Sequence, residues 1–215
     1  MDETEAIAKN VRLCTTRSRW HQYYAKAEAA MDRQWDTWIW PLIKESDFTC
    51  TVDLATGAGR NAAKLLPLAS DLHLVDVNDY AIDMCRERFR HAEGPCRIHY
   101  HVNDGTTLPG IADETVTFVY CWDAAVHFDK FVILQYLREF SRIMKHGATG
   151  FIHHSNYGCV ADDTDFQKHP HSRSNMTAAL FLEYCHQTEL ECLAQKLLVW
   201  GGIPDLDCIS RFRKP

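Results

Sequence analysis

The sequence predicts an α/β fold, in which helices cover both faces of a mostly parallel β-sheet. Short runs rich in β-branched residues recur along the chain, at residues 49–55, 72–77, 96–102, 115–121 and 149–155. Amphipathic segments with helical spacing separate them, at residues 61–66, 78–91 and 128–145. Strands that alternate with helices form parallel sheets that are buried on both faces, so this order predicts the fold class.

The two ends of the chain depart from this alternation. Residues 5–45 are rich in helix formers and in tryptophan, and they predict two helices with a break at Pro41. We take residues 1–46 as a helical lid that belongs to the same domain as residues 47–215. Within that lid, Trp35, Trp38 and Leu42 have the spacing of a helix face that packs on the sheet. By contrast, we expect Trp20, Tyr23 and Tyr24 to close over a ligand.

Near the carboxyl terminus, a helix is predicted at 175–187. The apolar run 193–200 reads either as a strand or as a continued helix, since it contains several good helix formers. A turn rich in glycine precedes an alternating strand at 207–213, and two strands with a short connection usually pair antiparallel. The polar stretch 156–174 is predicted to be a long loop, and long loops in compact domains are often functional.

Composition and charge exclude several classes of protein. The 215 residues suit one domain, and the net charge of -6 lacks the positive surface of a nucleic-acid-binding or membrane-surface protein. We therefore expect no nucleic-acid partner and no membrane association. No signal peptide precedes the first charges, so a cytoplasmic location is expected. The nine cysteines are scattered without zinc-site spacing and are interpreted as buried, reduced thiols.

One motif carries most of the functional information. Asp53 to Gly59 read Asp-Leu-Ala-Thr-Gly-Ala-Gly, so a buried strand runs into a turn with two glycines and then a helix. Such a turn lets backbone N–H groups approach a ligand closely. Read from Gly57 through Gly59 to Ala62, it fits a dinucleotide fingerprint, with Asp76 after the next strand as the ribose-binding acid.

The same residues also resemble the first motif of class I S-adenosylmethionine-dependent methyltransferases. Asn103-Asp104-Gly105 resembles the element of that family whose acid meets the adenine amine, and Lys145-His146-Gly147 resembles its late Lys-Pro-Gly turn. The resemblance extends from about Trp20 to Arg213. It implies a Rossmann-like, seven-stranded mixed sheet with a reversed last strand and an N-terminal helical lid. The chain departs from the family pattern in having Ala55 for a glycine and His146 for a proline.

The resemblance implies S-adenosyl-L-methionine as the cofactor and assigns residues to it. Gly57 and Gly59 would form the loop under the methionine part, and Asp53 would act through that loop. Asp76 would bind the ribose hydroxyls. The remaining predicted contacts are Ala55, Val77 on an adenine face, Asp104 on the exocyclic amine, Gly105, Trp122, Tyr24 and Trp20. Two structural alternatives stay open, since Asp104 can simply begin a turn with Gly105 and Asp76 can cap the next helix.

The acceptor is expected beyond the carboxyl ends of the strands. His127 follows the fourth predicted strand and is the leading candidate for a general base, with His153 second and Asp123 able to orient either. No acidic partner stands at ligand spacing from the other histidines, such as His99 and His101, so no metal is predicted. The Asn-Pro-Pro-aromatic signature of nucleic-acid methyltransferases is missing after the fourth strand.

These observations predict an enzyme that transfers a methyl group to a small molecule, most simply at a hydroxyl oxygen. The narrower resemblance is to methyltransferases of sugar or secondary-metabolite hydroxyls. Transfer to an amine or a carboxylate is the first alternative. A nicotinamide-dependent oxidoreductase and a cofactor-binding partner protein without catalysis are more distant ones.

Overall fold

A seven-stranded mixed sheet forms the centre of the protein, in the order β3-β2-β1-β4-β5-β7-β6. The computed structural model describes residues 2–15, 20–163 and 165–215, and between residues 20 and 26 the only side chain described is that of Tyr24. The strands are β1 Cys50–Leu54, β2 Asp71–Asp76, β3 Arg97–Val102, β4 Val116–Cys121, β5 Met144–Ser155, β6 Glu191–Trp200 and β7 Ile203–Arg213. Only β7 runs against its neighbours, so the predicted mixed sheet with a reversed last strand is confirmed.

Helices cover both faces of this sheet. They are α1 Glu3–Cys14, α2 Trp20–Gln34, α3 Trp40–Ile43, α4 Arg60–Leu65, α5 Asp79–Arg88, α6 Lys130–Ile143 and α7 Ala178–Gln187. Polar side chains cap three of them, since Asp2, Asp129 and Thr177 each accept a hydrogen bond from a backbone N–H of the first turn. A π-helical turn at Trp35–Ile39 joins α2 to α3, so the amino-terminal region divides into more elements than the two helices predicted.

Trp35 and Trp38 pack between the amino-terminal helices and the sheet, as predicted. Trp35 is 8% exposed and joins Ile39 and Ile43 in the core on one face of the sheet. The Trp38 ring lies 6.1 Å from that of Trp122 and 5.9 Å from that of Trp200, measured between ring centroids. These residues are scaffold, because their rings fill the space between the helices and the sheet.

The carboxyl-terminal apolar run is a strand, and the helical alternative is wrong. β6 pairs with β7 along its length, from Glu191 opposite Arg213 to Trp200 opposite Ile203. The connection is only Gly201-Gly202, both with positive φ, so β7 begins earlier than predicted and includes Pro204. Good helix formers are overridden here because the strand completes the sheet and buries Leu198 against the core.

The strand order also places the functional site. β1 pairs with β2 on one side and with β4 on the other, and all three run parallel. The chain therefore leaves β1 and β4 in opposite directions, which opens a crevice beyond their carboxyl ends. In the described part of the chain, no helix is long and apolar enough to cross a membrane.

Candidate functional site

The loop between β1 and α4 forms the floor of a cavity. Ala55, Gly57 and Gly59 have φ values of 55°, 56° and 79°, so all three adopt the left-handed conformation that favours glycine. A Cβ atom at Gly57 would lie 2.9 Å from Cε1 of Tyr24, so the tyrosine ring packs directly on this backbone. Ala55 adopts the strained conformation with its methyl group in place, which keeps the turn of the motif despite the missing glycine.

Asp76 ends β2 beside this loop. Its Oδ2 accepts a hydrogen bond from the backbone N–H of Gly57 at 3.0 Å, and its Oδ1 accepts one from the backbone N–H of Asn78 at 2.9 Å. The carboxyl is 5% exposed, and burial raises its pKa while these N–H donors lower it. A buried carboxylate with remaining lone pairs suits two adjacent hydroxyl groups.

Asp53 lies below the loop and does not line the cavity. The hydroxyl group of Thr56 donates to its Oδ2 at 2.7 Å, which ties the last part of β1 to the turn. The side chain is fully buried, and burial raises the pKa of Asp53 to about 7. This placement agrees with the expectation that Asp53 acts through the loop.

The cavity has a volume of about 90 Å³ and lies beyond the carboxyl ends of β1, β2 and β4. Nine of the residues predicted from the sequence line it: Tyr24, Ala55, Gly57, Asp76, Val77, Gly105, Trp122, Asp123 and His127. Asp53, Gly59, Asp104 and His153 do not. The side chain of Trp20, like that of Tyr23, falls outside the described residues.

The prediction that Asp104 reaches the adenine amine is not supported. Asp104 is exposed, and its carboxylate accepts hydrogen bonds from the backbone N–H and the hydroxyl groups of Thr106 and Thr107, at 2.7–3.1 Å. The residue therefore stabilises a turn, which is the alternative that the sequence left open. Its neighbour Asn103 lines the cavity instead.

Asn103 has a buried acceptor atom and is one of the residues that line the cavity. Its Nδ2 donates to the carbonyl of Thr107 at 2.9 Å and to the Tyr136 hydroxyl at 3.0 Å. Because a carbonyl only accepts, this pairing assigns the orientation of the amide. The buried Oδ1 has no hydrogen-bond partner among the residues that the structure describes. A buried acceptor of this kind suits a ligand amine.

His127 belongs to a 3₁₀ turn at Ala125–His127 and lines the cavity. Its Nδ1 lies 2.7 Å from the carbonyl oxygen of Ser172. A carbonyl cannot donate, so Nδ1 carries the proton and Nε2 holds the lone pair of the neutral ring. Burial, followed by the nearby Arg173 guanidinium, lowers the pKa of His127 to about 4. The imidazole is therefore neutral at physiological pH.

His153 is not brought to the cavity, so the structure does not support it as a residue that contacts the acceptor. The side chain is fully buried, and its Nε2 lies 3.1 Å from Oδ2 of Asp207. Its ring stacks on that of Trp122, with 4.3 Å between centroids. Trp122 lines the cavity, whereas His153 does not. Alternation along β5 turns this histidine into the core.

Asp123 has a different partner from the one expected. Its Oδ2 lies 2.8 Å from an Nη atom of Arg60, and both side chains are buried. Arg60 also donates to the carbonyl of Ala27 and to Oε1 of Gln34, which accepts from Nε1 of Trp122 as well. This network joins α2 to the two loops that line the cavity.

Sequence reasoning missed α1 as a wall of the cavity. Asn10, Val11 and Cys14 line it, and Nδ2 of Asn10 donates to the carbonyl of His127 at 2.9 Å. The signal in the sequence was an asparagine within an amphipathic helix. Asn10 is 1% exposed, and a buried amide of this kind requires a specific partner.

In the described part of the chain, no group of three or more histidine, cysteine, aspartate or glutamate residues is placed to hold a metal ion. His99 and His101, the pair considered from the sequence, use their ring nitrogens elsewhere. Nε2 of His99 lies 2.9 Å from Asp71, and Nε2 of His101 lies 2.9 Å from Nδ1 of His73.

Residues 51–147, which run from β1 to the start of β5, match the model of a methyltransferase domain. Over these residues the chain is similar to that domain. No protein of curated function matches the sequence.

Solved structures show the same fold over nearly the whole chain. The chain is similar to geranyl diphosphate C-methyltransferase of Streptomyces coelicolor, solved with Mg²⁺, geranyl diphosphate and S-adenosyl-L-homocysteine, at 13% identity, with 100% and 98% of the two chains covered and a TM-score of 0.69. It is similar to an S-adenosylmethionine-dependent methyltransferase of Clostridium acetobutylicum at 14% identity, with 90% and 98% covered and a TM-score of 0.68. It also resembles a chain from the complex between the Haloferax volcanii Trm112 methyltransferase activator and a methyltransferase, at 17% identity, with 93% and 97% covered and a TM-score of 0.67.

The predicted enzyme class and cofactor are therefore confirmed. A methyltransferase domain with this sheet order is of the class I type and uses S-adenosylmethionine. The residues around the cavity fit that group, since the methyltransferase domain presents a buried carboxylate at Asp76 and an unpaired buried acceptor at Asn103.

Proposed function

We propose that the protein methylates a hydroxyl oxygen of a small molecule and that His127 accepts the hydroxyl proton. The observation that carries this proposal is the state of His127. The ring lines the cavity, and its hydrogen bond to the Ser172 carbonyl leaves the lone pair on Nε2. An alcohol is a poor nucleophile at neutral pH, so a neutral imidazole in this position supplies the base that the reaction needs.

The proposal assigns five residues to the cofactor. Asp76 would bind the ribose hydroxyl groups, and Val77 would contact the adenine ring. Asn103, in place of Asp104, would accept a hydrogen bond from the exocyclic amine. Gly57 and Gly59 would form the loop beneath the methionine part. When bound, S-adenosylmethionine supplies an electrophilic methyl group on a sulfonium centre.

The charges around His127 act on its protonation in both directions. The proton converts the neutral ring to an imidazolium, and the carboxylates of Asp123 and Asp207 stabilise the charged form. Burial and Arg173 oppose it, so the pKa near 4 is low for a base in the resting protein. Positive charge leaves the sulfur as it appears on the ring, so the net charge of the cavity is unchanged by the reaction.

A small acceptor suits the form of the cavity. Residues of α1 and α2 wall it opposite the strand ends, among them Asn10, Val11 and Tyr24. Asp123 and Ala124, which follow β4, replace the signature that receives a flipped base in nucleic-acid methyltransferases. We therefore propose an acceptor that is enclosed between α1, α2 and the turn that carries His127.

A screen of labelled methyl transfer to alcohols, amines and carboxylates tests the proposal, followed by substitution of His127. His127→Ala should lower kcat by about 10²- to 10⁴-fold on an alcohol acceptor and leave the Kd for S-adenosyl-L-homocysteine nearly unchanged. His186→Ala, on the exposed surface of α7, is the matched control.

Two results would contradict this reading. Transfer only to amines or carboxylates would favour the alternative acceptors, because these groups are nucleophilic without a base. An unchanged kcat in folded His127→Ala with an alcohol would remove His127 as the base.

A further inference from the structure

Arg173 is a buried cation in the segment between β5 and α7. The side chain is 3% exposed, and its Nε and one Nη donate to the two carboxylate oxygens of Asp207, both at 2.7 Å. Its other Nη donates to the carbonyl of His171 at 2.9 Å, and the guanidinium lies 5.1 Å from the centre of the Trp200 ring. Because Asp207 belongs to β7, this pair attaches the segment to the rigid sheet.

Both neighbours of Arg173 in the chain contact the turn that carries His127. The carbonyl oxygen of Ser172 accepts the proton of His127 Nδ1 at 2.7 Å. The backbone N–H of Ser174 donates to the carbonyl of Val126 at 2.9 Å. The residue before Arg173 therefore holds the ring of His127, and the residue after Arg173 holds the backbone of Val126, which directly precedes that histidine.

We propose that the ion pair between Arg173 and Asp207 is a positioning device for His127, which holds the Ser172 carbonyl where it selects the tautomer with its lone pair on Nε2. Arg173 acts through Ser172 and Ser174 and not on the acceptor itself, since it does not line the cavity. This inference rests on the proposed role of His127 as the base.

The geometry requires arginine at this position. The two donors of the planar guanidinium match the two oxygens of Asp207, and a third donor reaches His171 at the same time. The ammonium group of a lysine is a single point charge on a flexible stem. It would keep the charge next to Asp207 but would not hold the backbone of residues 171–174 in one place.

Charge provides a second route to His127. Arg173 lowers the pKa of His127, whereas Asp123 and Asp207 raise it, as does the hydrogen bond to Ser172. His153 also faces this group of charges, since its Nε2 lies 3.1 Å from Asp207. Loss of the arginine charge should therefore raise the pKa of His127, because the remaining carboxylates favour the imidazolium.

Nitrogen-15 NMR of the histidine side chains tests the inference directly and needs no acceptor. The His127 signal is assigned by its loss in His127→Gln. In the wild-type protein it should show a protonated Nδ1 and an unprotonated Nε2. Arg173→Lys should give a mixture of tautomers, and the double variant Arg173→Met with Asp207→Asn should do the same without a stranded buried carboxylate.

Kinetics and pH provide the second readout. Both variants should lower kcat on the alcohol acceptor by about tenfold or more, with the Kd for S-adenosyl-L-homocysteine unchanged. In the double variant, the loss of the Arg173 charge and the loss of the Asp207 charge shift the pKa of His127 in opposite directions. The acid limb of the kcat–pH profile is therefore compared in Arg173→Lys, which keeps the positive charge. There the acid limb should stay near that of wild type while kcat falls. Arg213→Met is the matched control and should change neither readout, because it removes an exposed arginine of β7, the strand that carries Asp207, whose partner is Glu191 of β6.

The tautomer result separates this inference from the proposed function. A single Nδ1-protonated tautomer in both folded variants would overturn the positioning role, whatever the catalytic role of His127. A mixture of tautomers in the two Arg173 variants, together with full activity of His127→Gln, would support the positioning role of Arg173 and contradict the role of His127 as the base.

Discussion

The carboxylate of Asp76 accepts a hydrogen bond from the backbone N–H of Gly57, with 3.0 Å between Oδ2 and the nitrogen. The bond joins the end of β2 to the loop after β1, which are the two elements that resembled a cofactor site in the sequence. Each carboxylate oxygen has more than one lone pair, so the acid retains capacity for hydroxyl groups while it holds the loop. The proposed ribose site and the proposed methionine loop are thus a single unit.

Substitution of Asp76 should weaken cofactor binding. Asp76→Ala removes the acceptor for the ribose hydroxyls and releases Gly57, so calorimetry should show the Kd for S-adenosyl-L-homocysteine rise at least tenfold, about 1.4 kcal/mol. Asp71→Ala, at the other end of β2 and paired with Arg97, is the control and should bind normally. NAD and NADP should bind the wild-type protein at least tenfold more weakly, and equal or tighter binding would contradict the methyltransferase assignment.

Asn103 and its neighbour Asp104 should differ in their effect on the cofactor. Asn103→Ala removes the buried Oδ1 acceptor, and we expect a loss of about 1–3 kcal/mol in the binding of S-adenosyl-L-homocysteine. Asp104→Ala loosens a surface turn and should change the Kd much less. Calorimetry on both variants measures the two losses of affinity. A larger loss in Asp104→Ala than in Asn103→Ala would support the role that the sequence predicted for Asp104.

Methyl transfer should not require a metal ion. The described residues around the cavity present no metal-ligand cluster, and His127 is expected to take the proton. Once an acceptor is identified, the initial rate should be the same after dialysis against excess EDTA as before it. A rate abolished by EDTA and restored by magnesium or manganese would show that metal chemistry is part of the reaction.

The amino-terminal helices should close over bound cofactor. Tyr24 packs on Gly57 and lines the cavity, so closure over the ligand should protect the backbone of its neighbours. Hydrogen exchange in residues 20–24 should slow on addition of S-adenosyl-L-homocysteine. A peptide covering α7 should exchange at the same rate with and without it, and equal rates in both peptides would make these aromatic residues scaffold.

Asp53 should make stability depend on pH. Burial raises its pKa to about 7 in the folded state, above the ordinary value near 4, so the folded state binds the proton more tightly than the unfolded state. The resulting stabilisation is complete below the unfolded pKa and is lost as pH rises through about 7. Asp53→Asn should remove this loss.

Urea unfolding at several pH values measures this pH dependence of stability. Between pH 5 and pH 8 the free energy of unfolding should fall more steeply in the wild-type protein than in Asp53→Asn. Asp83→Asn, on the exposed face of α5, is the control and should follow the wild type. Parallel curves for Asp53→Asn and wild type would mean that the carboxyl is ionised throughout.

Local patterns in the sequence predicted most of the fold, and they predicted the loop and the acid of the proposed cofactor site. Periodicity predicted the first five strands to within a few residues at most ends, since apolar spacing reports directly which face of an element is buried. The glycine turn at Gly57 and Gly59 and the acid at Asp76 were also predicted. Their chemistry depends on a few residues that are close along the chain, and a short motif can express such a relationship.

Only the tertiary structure decided which neighbouring side chain reaches the cavity. Asn103 and Asp104 are adjacent and both polar, yet one lines the cavity while the other closes a turn. His153 pairs with Asp207, which is 54 positions away along the chain, and Arg173 reaches the same carboxylate. Such contacts depend on how strands and loops from distant parts of the chain meet in space, and no local pattern of residues encodes that meeting.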